Sequence, residues 1–232
     1  MLFVVGHESM RKGHKTFGDR LILWAARRSE VGRFDGIRLA DDKKRESFKR
    51  TIEQALGLIR DHDPRRYARV TRYIHWIVNG ATPSRGMEYN DRIHLCMVEF
   101  LEIPGLDQDA LAAFYACCLV HESAHGVVDS HEITYAPENR VRIERLCVTE
   151  QNRFASRLAA ADRARYPIEL LHVDFQESWW EEAWTGSRLK TALSLLRRAM
   201  SGRSAELRVP PNGGPATRSG DSGVTERPPS VS

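Results

Sequence analysis

The chain has little of what marks a secreted, membrane-spanning or cysteine-stapled protein. It has four cysteines in 232 residues, Cys96, Cys117, Cys118 and Cys147. None is set in the C-x-x-C spacing of a redox or zinc-ribbon motif. Adjacent Cys117 and Cys118 point in different directions on a helix and cannot bridge without distortion. Buried, reduced thiols are the simple reading, and they fit a reducing cytoplasm. No apolar run approaches the roughly 18–20 residues that span a bilayer. Leu2 to Val5 is too short for the apolar region of a secretory signal. The expectation is a cytoplasmic chain without a membrane partner. Charge of one sign is also lacking. Lys and Arg number 35 against 31 Asp and Glu, a formal net charge of +4. The basic clusters Arg27-Arg28, Lys43-Lys44-Arg45 and Arg65-Arg66 have acids interleaved, as solvated helix faces do. No nucleic-acid-binding module accompanies them. There is no internal repeat. The remainder is ordinary: 41% hydrophobic and 28% charged residues, enough length for one good core.

Against this plain background stands His121-Glu122-Ser123-Ala124-His125, an H-E-x-x-H sequence. On a helix, residues four apart share a face, one turn above the other. Two imidazoles so placed can both reach one ion at about 2.0–2.1 Å, the zinc–nitrogen distance. Glu122 then sits about 100° further round, beside the ion, where it can take a proton from a metal-bound water. The preceding residues predict the helix. Asp107 is a capping residue, Asp109 puts negative charge in the first turn, and Ala110 to Val120 is apolar on nearly every face. Histidines and a glutamate at the end of a buried helix need partners, and a metal satisfies all three.

A catalytic zinc takes three protein ligands and keeps a fourth position for water. Two residues compete for the third place. A second helix is predicted from Pro137 to about Ala160. Wound at about 100° per residue, it gathers Ile143, Cys147, Val148, Phe154, Ala155 and Leu158 on one face. Glu144 falls inside that face, with only Gln151 for polar company, and Glu150 falls at its edge. A buried carboxylate calls for a cation, either a metal or an arginine in a buried ion pair. His131 is the rival, six residues after His125. A chain using it must turn sharply out of the helix near Val128, and a β-branched residue resists positive φ. Glu144 is therefore preferred. Cys147, one turn from Glu144, is a remoter candidate. His131, Tyr135 and Arg140 are near enough in sequence to stabilise an oxyanion, and none stands out.

The pattern H-E-x-x-H, eighteen residues (126–143), then Glu144 resembles the gluzincin branch of the zincin metallopeptidases, in which the downstream glutamate is the third zinc ligand. The His131 spacing is similar to that of the metzincin branch, but the glycine of that branch is Val128 here and its methionine turn has no clear counterpart. The stretch Arg140 to Leu158 resembles a segment of uncharacterised bacterial zincin-like proteins. The likeness is concentrated in residues 93–158 and implies no particular substrate.

Elsewhere the patterning is uneven. Residues 1–40 are weakly patterned, with a possible helix over Leu21–Arg28 and isolated His7 and His14. Asp41 to His62 is helical, with Phe48, Ile52, Leu56 and Ile59 at helical spacing and a stop at Pro64. Val70–Asn79 and Arg92–Ile103 alternate like strands, joined by a turn-rich connection over Gly80–Asn90. Arg92–Ile103 is the candidate edge for pairing with an extended peptide. Ile168 to Met200 is predicted helical, with three tryptophans between Ser178 and Trp184 read as core. Residues 201–232, rich in Gly, Pro, Ser and Arg, are expected to be a disordered tail.

Together these features lead us to expect a single α+β domain over residues 1–200, mostly helical and zincin-like, with a small sheet before the motif helix. His121, His125 and Glu144 would bind zinc and Glu122 would act as general base, then general acid, on a peptide or protein substrate. A catalytically silent binding module of the same fold and a basic nucleic-acid adaptor remain the competing readings.

Overall fold

A computed structural model of the protein describes residues 15–80, 87–102 and 106–175. The expected tail over 201–232 and the tryptophan cluster fall outside them, as do His7 and His14.

The chain enters through α1 (Phe17–Arg28), whose Thr16 and Asp19 form a reciprocal capping box. A hairpin follows, β1 (Glu30–Phe34) and β2 (Ile37–Asp41). Its turn is Asp35-Gly36, both at positive φ (45° and 89°), the backbone that a two-residue hairpin turn demands. Helix α2 (Glu46–His62) carries Phe48, Ile52, Ala55, Leu56 and Ile59 fully buried. Asp41, expected as its first residue, instead ends β2. Its carboxylate accepts from the backbone N–H of Arg45, the residue just before α2.

Pro64 stops α2 as expected but also opens α3 (Pro64–Tyr73), capped by Asp63. Val70 and Ile74, read as strand residues, are four apart, and Val70 lies on the buried face of this helix. The strand is only β3 (Trp76–Asn79). Two more strands precede the motif helix. One is β4 (Met87–Asn90), inside the stretch expected to be turns, and the other is β5 (Leu95–Val98), shorter than the predicted Arg92–Ile103. His94, at φ 51°, breaks the strand on its N-terminal side.

The five strands form one mixed sheet in the order β1-β2-β3-β5-β4, with β2, β3 and β5 parallel and both outer pairs antiparallel. Strand alternation divides the core. Leu39, Ile77, Cys96 and Val98 face the helical side, whereas Ala40, Trp76, Leu95 and Met97 pack with Leu23 and Ala26 of α1.

On the helical side runs α4 (Gln108–Ser130), capped by Asp107, whose carboxylate accepts from Ala110 N at 2.7 Å. By length and composition it could cross a membrane, but it packs among α2, α3, α5 (Pro137–Ala161) and β4 with most of its surface buried. At Gly126 a Cβ would lie 2.6 Å from the Tyr73 side chain, so only glycine lets α3 and α4 approach this closely. The short α6 (Ile168–Leu171) ends the described helices. Residues 172–175 are not helical, so the predicted helix over 168–200 breaks at Leu171, and its remainder lies outside the described residues. The architecture is α+β: helices laid on a small mixed sheet, with the motif helix buried at the centre.

Candidate metal centre

Because α4 stays regular through Ser130, His121 and His125 stand one turn apart on one face. Their ring centroids are 5.1 Å apart and their Nε2 atoms 3.3 Å. Helix α5 returns antiparallel and brings Glu144 to both. Its carboxylate oxygens lie 3.2 Å from His121 Nε2 and 3.6 Å from His125 Nε2. Two ligands on one tetrahedral ion at about 2.05 Å are separated by about 3.3 Å. The three donors predicted from sequence are thus brought together, His121 facing Oε2 and His125 facing Oε1 of Glu144.

Their hydrogen bonding is incomplete without one. Glu144 is 3% exposed. One of its oxygens, Oε1, accepts from the Tyr135 hydroxyl, while Oε2 is buried with no hydrogen-bond partner despite the nearby imidazole. His121 Nδ1 is likewise buried and unpartnered. Buried polar atoms without partners are uncommon, and here they surround one point. A cation fits there.

The electrostatics agree. Burial works against charge on His121, but Glu144 and Glu122 outweigh it and raise its pKa. For His125, burial and the charge of His121 push the pKa down to about 4. Burial also pushes Glu144 up, yet His121, His125 and Tyr135 outweigh it and hold the carboxyl below its ordinary value.

Glu122 lies between these donors and the sheet, coupled to His121 and Glu144 on one side and to Glu88 and the Tyr89 backbone on the other. Burial raises its carboxyl to about 7, with Glu144 and Glu88 adding to the effect. The charge of His121 and a hydrogen bond from the Tyr89 backbone oppose it. Tyr89 belongs to β4, the outermost strand on this side. Strand β5, the expected edge, is flanked by β3 and β4, so the edge role passes to β4.

The remaining candidates separate clearly. His131 caps the C-terminus of α4 and is exposed, whereas Glu144 is buried. Helix α4 does not turn at Val128, in keeping with the steric objection to that ligand. Tyr135 packs edge-on against His125, 5.7 Å between centroids, and the Arg140 guanidinium lies over its ring. Cys147 is fully buried, and its Sγ lies within 4.8 Å of the His121 and His125 donor atoms. Sequence placed it one turn from Glu144 but could not rank it.

Sequence reasoning missed the brace behind the site. Arg69 of α3 donates to Ser123 Oγ at 3.1 Å and to Glu150 at 2.9 Å, tying the motif helix to the helix that bears Glu144. Comparison of the chain with protein-family models, curated proteins and solved structures finds no match.

Proposed function

We propose that the protein is a zinc-dependent hydrolase of zincin type, acting on a peptide or protein. The observation that carries this reading is the 3.2–3.6 Å spacing of the His121, His125 and Glu144 donors around a buried, unpartnered carboxylate oxygen.

His121, His125 and Glu144 would hold the ion, and Tyr135 orients Glu144 by its hydrogen bond. Bound zinc supplies a Lewis acid that polarises a carbonyl and lowers the pKa of a water. Glu122 is the proton carrier. A carboxyl raised to about 7 is balanced between its two forms near neutrality, which suits a group that first accepts and then returns a proton. An extended substrate pairing with β4 would run past Glu122, because Tyr89 of that strand already contacts it.

The test is zinc content by elemental mass spectrometry together with a screen of peptide substrates. About one zinc per chain is expected, with Glu122→Ala retaining metal and losing hydrolysis. Zinc binding without cleavage of any peptide or protein would make the chain a binding module. No metal after zinc is added back would end the proposal.

A further inference from the structure

The donor set holds one more ligand type than an open catalytic centre needs. Cys147 follows Glu144 by three residues on α5 and so shares its face. The thiol is fully buried against Ala124, Val128 and Ile143, has no disulfide partner, and lies with both imidazole donors inside a 4.8 Å cluster. Independently, Glu144 Oε2 is buried without a hydrogen bond, 3.2 Å from His121 Nε2. Nitrogen and sulfur ligands on one tetrahedral ion are about 3.6 Å apart.

We propose that Cys147 is a fourth metal ligand, which exchanges with water and holds the centre closed at rest. This deepens the zinc reading and rests on it. With the thiolate bound, four protein donors surround the ion, the arrangement of a structural site. When the thiolate leaves, three donors remain and a water can enter beside Glu122. On coordination the thiol gives its proton to solvent, and on release the sulfur takes one back. No oxidant or reductant is involved.

The experiment is cobalt substitution of the full chain, read by absorption spectroscopy. Wild-type protein loaded with Co(II) is expected to show a thiolate-to-cobalt charge-transfer band in the near ultraviolet. Cys147→Ala should keep about one cobalt per chain and lose that band, and Cys147→Ser guards against a packing defect in the alanine variant. Cobalt bound without the band in wild type would overturn the proposal while leaving the zinc reading intact. Failure of wild type to bind cobalt or zinc at all would instead overturn the zinc reading.

Discussion

Two glutamates on α5, one buried and one half-buried, show how differently a protein can hold an acid away from water. Glu150 is met by three arginines: Arg69 at 2.9 Å, Arg66 at 3.1 Å and Arg153 at 2.8 Å. Burial pushes its carboxyl up, but those guanidinium groups outweigh the effect and hold it below its ordinary value. Glu144, less than two turns earlier, has no arginine. Its neighbours are two imidazoles and a phenol, with Oε2 3.2 Å from His121 Nε2. An arginine ion pair, the alternative account of Glu144, exists in this protein on the half-buried Glu150. Glu150 is held by guanidinium groups, whereas Glu144 is held by imidazoles, the side chains that also bind metals.

The comparison can be broken most directly at Glu144. Glu144→Ala should weaken zinc binding by about a thousandfold, roughly 4 kcal/mol, since loss of a direct ligand exceeds the 10–100-fold typical of outer partners. Competition with a metal-binding dye would measure it, and unchanged affinity would remove Glu144 from the site. Glu150→Ala should do the reverse. It leaves Arg66 and Arg69 partly buried without their shared carboxylate and should cost about 3 kcal/mol of stability in urea unfolding. Zinc affinity of the folded fraction should stay within several-fold, and a loss as large as that of Glu144→Ala would dissolve the distinction.

Glu122 supplies a second buried acid and a pH test. Its folded pKa, about 7, lies above the ordinary carboxyl value of 4.5. Between those values the folded state binds more protons than the unfolded, so ionised Glu122 increasingly opposes folding as pH rises. In metal-free protein, Glu122→Gln should therefore be the more stable form by about 2–3 kcal/mol at pH 8, with the advantage gone below about pH 4.5. Equal unfolding midpoints at both pH values would show that Glu122 is not held in a desolvated place. The smallest effect belongs to Tyr135→Phe. It leaves Glu144 in place but removes the hydroxyl that holds Oε1, and should weaken zinc binding about tenfold without changing its stoichiometry.

How much of this was legible in sequence depended on how local the signal was. The cap at Asp107, the 23-residue motif helix and the buried face of α5 follow from neighbours within a few turns, and the structure has them. Glu144 stood out because winding a helix is enough to show that it faces inward. The β1–β2 hairpin was missed although Asp35-Gly36, flanked by alternating Val31, Arg33, Ile37 and Leu39, is a local signal. Helix α3 was partly read as strand because a spacing of four satisfies both periods, and the start signal at Asp63-Pro64 was taken only as a stop. Contacts between distant segments were out of reach. Nothing near Arg69 announces Ser123 or Glu150, some 54 and 81 residues away, and only the antiparallel return of α5 sets Tyr135 beside Glu144. The site's identity was thus encoded in two helices, its bracing in tertiary contacts.

The helical hairpin of α4 and α5 has a kinetic consequence. All the proposed donors lie between His121 and Cys147, and a short connection joins the two helices. Closing so small a loop costs little entropy. Pairing β2 with β3, by contrast, must wait for the crossover through α2 and α3, and parallel strands so far apart in sequence form slowly. The α4–α5 hairpin thus has a lower contact order than the pairing of β2 with β3. On the proposed reading, zinc meets its ligands as soon as these two helices pack, and favours the native pairing of α4 with α5 from that contact.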